Sequence, residues 1–180
     1  MNNLAYNYSD KTTDGNQSFL LNESTIAVAD LMQAPMESMK IQAASQLVSF
    51  FYEATKINVV LKIDYEKITQ SILYVVQNAL KASQPETSIY VSTGLDFNGD
   101  FYIRVDDEGQ GITPEKLEQI LEPYTKCEQG IKHINENAGL GLSLVNAYLK
   151  MHFGTLRMQS VVNRGTSVTL TIPKSCLVSR

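Results

Sequence analysis

The chain has 180 residues, 43% of them hydrophobic and 19% charged, with a formal net charge of −4. That is enough for one domain with a real core, and the acidic balance excludes an electrostatic nucleic-acid binder. Two distant cysteines (Cys127 and Cys176) and two histidines (His133 and His152) exclude a disulfide framework and a metal-ligand spacing, and no apolar run is long enough to span a membrane. A cytoplasmic setting is expected, either for the chain alone or for a cytosolic piece of something larger.

Residues 1–18 are polar and without periodicity, so they predict a flexible tail or linker ahead of a domain over 19–175. Ser24–Val28 reads as a first strand, or Ser24 caps a short helix that stops before Pro35. From Met36 to Ala54 the spacing of Met39, Ala43, Leu47, Phe50 and Phe51 predicts a helix. Ile57–Ile63 is a strand, and Asp64 starts a helix to Ala82 with Ile68, Ile72, Val75, Val76 and Ala79 on its core side. Ser88–Thr93 and Phe101–Asp106 form a hairpin around Asn98-Gly99. Thr113-Pro114-Glu115 opens a short helix ending near Leu121. Residues 122–138 are loop-like, and a loop of that length is usually functional. Gly139-Leu140-Gly141-Leu142 opens the last helix, which stops at Phe153-Gly154; strands Thr155–Ser160 and Ser167–Ile172 close the chain around Asn163-Arg-Gly165. Each strand alternates apolar with polar, which predicts a two-layer α/β sandwich: a mixed, mostly antiparallel sheet with helices on one face.

Three places could carry chemistry. Val105-Asp106-Asp107-Glu108-Gly109-Gln110-Gly111-Ile112 ends a strand in acids and a Gly-x-Gly turn, setting a fixed acceptor beside backbone that a ligand can approach. Tyr74, Asn78 and Lys81 form one helical stripe off the apolar face; Asn78 offers a neutral oxygen for Mg²⁺ and Lys81 a charge for phosphate. Gly139-Leu140-Gly141-Leu142 at a helix start offers free N–H groups to an anion. Taken singly, these are also a plain turn, a solvated helix flank and a hinge.

Taken together they resemble a family. Gln77-Asn78-Ala79-Leu80-Lys81, Asp107-Glu-Gly109-Gln-Gly111, Leu121-Glu-Pro-Tyr124-Thr-Lys126 and Gly139-Leu-Gly141-Leu142 follow in the order of the N, G1, F and G2 boxes of the ATP-binding domain of bacterial sensor histidine kinases. That domain belongs to the superfamily that also holds gyrase, Hsp90 and MutL. Met151-His-Phe-Gly154, Ser160 and Arg164-Gly165-Thr166 look like its closing helix and hairpin, so the resemblance covers about residues 20–173.

The resemblance implies the Bergerat fold with a long ATP lid over residues 113–138. It implies that Asp107 accepts from the adenine amino group, and that Gly109, Gly111 and the adjoining Ile112 let the base lie against backbone. Asn78 would ligate Mg²⁺, Lys81 and Lys126 would lie near the phosphates, Tyr124 would hold an F-box position, Gly139, Leu140, Gly141 and Leu142 would form the lid base, and Thr166 would stand near adenine. It implies a γ-phosphoryl transfer from ATP, with Asn78 and Lys81 in the catalytic machinery. The acceptor would be a histidine on a separate dimerisation domain, and a response regulator would lie downstream. It implies no nucleic-acid partner, no direct membrane contact in this fragment, a monomeric isolated domain and a homodimeric full-length kinase.

Tyr74 departs from the usual Asn of kinases and the catalytic Glu of the gyrase branch, Ala82 from a common aromatic, and Asn137 from the first G2 glycine. His133 and His152 lack the context of a phosphoacceptor. Two alternatives share the fold: a nucleotide-binding pseudokinase, and a serine kinase of the anti-sigma-factor type.

Overall fold

The computed structural model describes residues 21–121 and 140–178. The expected tail, the segment 122–138 and the residues Tyr124, Lys126, Cys127, His133, Asn137 and Gly139 lie outside the described residues.

The first described element is β1 (Glu23–Ala27), which pairs antiparallel with β3 (Val60–Asp64) as a two-stranded ribbon. Helix α1 (Val28–Ser45) follows β1 directly. Of the two readings of Ser24, the strand is therefore the one observed, and Ala27 rather than Ser24 occupies the N-cap.

The boundary expected at Pro35 is not there. Pro35 lies inside α1, where it lacks the N–H that would reach the Leu31 carbonyl. The helix persists because Leu31, Met32, Met36, Met39 and Ala43 all bury on one stripe around it.

The helix expected to run to Ala54 instead ends at Ser45, and Ser49–Glu53 is a strand, β2. Leu47 turns the chain at a φ of 59°, and the Val48 N–H bonds the Ala43 carbonyl at 3.0 Å. The aromatic pair Phe50 and Phe51 fits the helical spacing, but alternation around β-favouring aromatics wins: Phe50 and Tyr52 turn inward and Phe51 outward.

Helix α2 (Tyr65–Ala82) starts where the sequence predicts, and the Asp64 carboxylate caps it by accepting from the Lys67 N–H at 3.2 Å. Its buried stripe is Ile68, Ser71, Ile72, Val75, Val76, Ala79 and Leu80. β4 (Ser88–Leu95) and β5 (Phe101–Asp107) form the expected hairpin, tightened by Asp96 Oδ1, which accepts from the N–H groups of Asn98 at 2.8 Å and Asp100 at 3.0 Å. α3 (Pro114–Leu121) starts after Thr113, and α4 (Leu140–Met151) precedes β6 (Thr155–Val161) and β7 (Gly165–Ile172).

Among the described residues the main sheet has the order β2-β4-β5-β7-β6. Only β2 and β4 run parallel; the remaining pairs are antiparallel. Ile89 and Val91 of β4, Phe101, Ile103 and Val105 of β5, and Val168, Leu170 and Ile172 of β7 form the dry face. α1, α2 and α4 pack over it. Tyr90, Tyr102, Arg104 and Asp106 stand on the opposite, wetter face, where the rings of Phe51 and Tyr90 stack with centroids 5.0 Å apart. The expected two-layer α/β sandwich, with a mixed and mostly antiparallel sheet, is the architecture observed.

Candidate functional site

The site forms where β5 leaves the sheet. Alternation along Phe101, Ile103, Val105 and Asp107 puts the Asp107 carboxylate on the dry face, only 8% exposed. Its Oδ1 accepts from the Gly109 N–H at 2.9 Å and the Thr166 N–H at 3.2 Å. Oδ2 takes no hydrogen bond among the described residues. Burial raises the Asp107 carboxyl above the ordinary carboxylate range; the two N–H groups lower it only in part, and the charge of Asp106 raises it further.

The neighbouring acids do different work. Asp106 faces the other side of the sheet and is held in a forked pair with Arg104, at 2.9 to 3.0 Å. Glu108 accepts from the Ser88 N–H at 2.9 Å, tying the end of β5 to the start of β4. Of the three acids, only Asp107 points beneath the helices.

The two glycines are demanded by close packing. A Cβ on Gly109 would lie 2.5 Å from the Ala82 carbonyl oxygen at the end of α2, and one on Gly111 would lie 2.2 Å from the Val161 carbonyl oxygen. Gly111 also has a φ of 66°. The turn is thus wedged between α2 and the β6–β7 hairpin, and the Gln110 N–H reaches the Ala82 carbonyl at 3.4 Å.

That wedge joins the Asp107 turn to the α2 stripe. Lys81 directly precedes Ala82, Asn78 lies one turn before it, and both are exposed. No hydrogen bond or ion pair engages either side chain among the described residues. Tyr74, a further turn back, packs against the start of α4: a Cβ on Gly141 would sit 3.2 Å from its Cδ1. Leu142 enters the core beside Val145 and Leu149, so α4 is anchored from its first turn, which begins at Leu140. The expected stripe therefore spans from the Gly141 end of α4 to the Asp107 turn. Asn78 is the described residue best placed to hold a metal: it supplies a single neutral oxygen, and no group of three His, Cys, Asp or Glu that could hold an ion occurs among the described residues.

Two further residues were not singled out as site residues from the sequence: Ser160 belongs to this region, and His152 holds the opposite end of α2. Ser160 Oγ receives the Ile112 N–H at 2.8 Å and lies 2.9 Å from Thr166 Oγ1. His152, 1% exposed, receives the Asp64 N–H on Nε2 at 3.0 Å, so its proton sits on Nδ1 and goes to the Tyr148 carbonyl at 2.7 Å. It is a buried clamp between the end of α4 and the start of α2. Each has one partner distant in sequence, Ile112 for Ser160 and Asp64 for His152, and no local pattern marks those bonds.

Residues 63–175 match the histidine kinase-, DNA gyrase B- and HSP90-like ATPase family. The chain belongs to that family. It is 29% identical over 157 residues to the histidine protein kinase DivJ of Caulobacter vibrioides; the match takes in 87% of this chain but only 26% of that kinase. Its fold is similar to the catalytic domain of histidine kinase ThkA, with a TM-score of 0.70 at 20% identity over 86% of this chain and 97% of that one. A second solved relative is full-length ShkA in complex with AMPPNP, with a TM-score of 0.72 at 17% identity over 89% of this chain and 32% of that one. This ATPase-family domain spans about a quarter of the length of the curated histidine kinases it matches. Among its described residues no helix is long and apolar enough to cross a membrane.

Proposed function

We propose that this domain binds ATP with Mg²⁺ and transfers the γ-phosphoryl group to a histidine on a separate dimerisation domain of a sensor kinase. The observation that carries this reading is Asp107. Its Oδ1 is locked by two backbone N–H groups, which leaves Oδ2 as a fixed, desolvated acceptor for the adenine amino group. Burial makes that acceptor selective, because a ligand without a donor would strand it.

The other residues follow from their places. Gly109, Gly111 and Ile112 form the backbone wall beside the base, and Thr166 stands next to Asp107 across the strand pair. Asn78 would hold Mg²⁺ through one oxygen, which fits an ion that takes most of its remaining ligands from phosphate and water. The ion would offset charge on the β- and γ-phosphates. Lys81, with Lys126, would carry positive charge to the phosphates, and Gly139, Leu140, Gly141 and Leu142 would offer the α4 N-terminus to them. Tyr124 would belong to the lid.

No carboxylate stands at Tyr74, so α2 offers no base to activate water at that position, and transfer to a protein imidazole is favoured over hydrolysis. The partners would be the histidine-bearing dimerisation domain and a response regulator, the setting cytoplasmic, the isolated domain monomeric and the full-length kinase a homodimer. Calorimetric titration of the wild type and Asp107→Asn with ATP·Mg²⁺ tests the reading. The wild type binds and the variant loses at least about tenfold in affinity, the worth of one strong buried hydrogen bond. Equal affinities would remove Asp107 from the base site.

A further inference from the structure

The hydroxyl of Ser160 serves three partners at once. It receives the Ile112 N–H at 2.8 Å, lies 3.0 Å from the Gly165 carbonyl oxygen, and lies 2.9 Å from Thr166 Oγ1. A serine hydroxyl has one proton and two lone pairs. The Gly165 carbonyl can only accept, so the Ser160 proton goes there. The Ile112 N–H fills one lone pair. The other is left for Thr166, which must therefore be the donor in their shared bond.

Thr166 Oγ1, having given its proton to Ser160, has only lone pairs left for any other partner. Thr166 is the cross-strand partner of Asp107, and the two side chains share the dry face, each 8% exposed. Asp107 Oδ2 is also an acceptor. Two acceptors thus stand side by side.

We propose that Ser160 is a positioning residue for base specificity: by holding Thr166 as an acceptor, it makes the floor of the pocket admit a 6-amino purine and reject a 6-keto purine. The proposal rests on the ATP-binding reading above. An exocyclic amino group has protons for both oxygens. A keto oxygen would face two acceptors with no proton between them. Once Ser160 is removed, the Thr166 hydroxyl is free to rotate and donate to a keto oxygen.

The test uses ATP and inosine triphosphate, which differ only at the edge of the base around position 6. Dissociation constants of both, with Mg²⁺, are measured by calorimetry on the 180-residue chain and its Ser160→Ala, Thr166→Val and double variants. Wild type prefers ATP. In Ser160→Ala the preference falls about tenfold, the scale of one hydrogen bond gained by the keto base. In the Thr166→Val background the same change leaves the preference where it was, because the hydroxyl it acts through is gone. Should Ser160→Ala not fold, Ser160→Cys is read instead: its sulfur is a weak acceptor and a poor holder of the Thr166 proton, so the preference drops in the same direction. Equal weakening of both nucleotides with an unchanged ratio would mean that Ser160 merely braces the turn, and overturns the proposal. So would a loss of preference that persists without the Thr166 hydroxyl. A wild-type chain that binds neither nucleotide overturns the ATP-binding reading, and this inference with it.

Discussion

Asp107 and Asp64 are both buried aspartates, yet their surroundings pull their ionisation in opposite directions. Burial lifts the Asp107 carboxyl. Burial also lifts Asp64, but the Lys67 ammonium at 2.7 Å and the N–H groups of Asn22 and Lys67 outweigh it and leave the carboxyl below its usual range. The pH dependence of folding follows from those signs. A raised carboxyl favours the folded state at acid pH and loses that contribution as pH rises through its folded value. Asp107→Asn keeps an oxygen for Gly109 and Thr166 and removes the charge, so its stability relative to wild type improves from acid to neutral pH in urea unfolding. Asp64 contributes above the ordinary carboxylate range and loses that contribution as pH falls through its lowered value. Asp64→Ala removes a cap and one half of a buried pair, and costs about 2 kcal/mol or more at neutral pH, with the deficit shrinking in acid. The resemblance to the G1 box picks Asp107 out of three consecutive acids, and the alternation along β5 supplies the physical reason. The roles of Ser160 and His152 were not legible in the sequence, because their hydrogen bonds join segments that only folding brings together.

Elements with a single clear period were read well, and those with two competing periods were not. α2 announced itself through its Asp64 cap and a continuous apolar stripe. The β4–β5 hairpin did so through alternation and Asn98-Gly99. The segment from Pro35 to Ala54 went wrong at both ends: a proline that usually stops a helix was absorbed by core burial, and two adjacent aromatics fitted a helical face as well as a strand. The contact between α2 and α4 is where element packing reaches the site. Gly141→Ala pushes a methyl group toward the Tyr74 ring and is expected to destabilise the domain by about 1 kcal/mol. In a Tyr74→Ala background the clash is absent, and the same change becomes neutral or mildly stabilising through helix propensity. A double-mutant cycle by urea unfolding reads the difference; additive effects would show that Tyr74 does not set the approach of α4.

At the scale of the whole molecule, the sheet separates two tasks. Its dry face carries the helices and, at the end of β5, the Asp107 carboxylate aimed beneath them. Its wetter face closes on itself through pairs such as Arg104 with Asp106 and Phe51 with Tyr90. The two layers were legible in the sequence because alternation and helix stripes are averaged over many residues; the strand order was not. What the domain acts upon is not written in the sequence: among the described residues the one histidine, His152, is buried in a structural clamp, and the proposed reading takes its phosphoacceptor from a separate domain. The direct test of the proposed function is to mix this domain with a histidine-bearing dimerisation domain and γ-labelled ATP·Mg²⁺. Acid-labile label should appear on the dimerisation domain with the wild type and not with Asp107→Asn. ATP binding without any transfer of label would contradict the kinase assignment and leave a nucleotide-binding module.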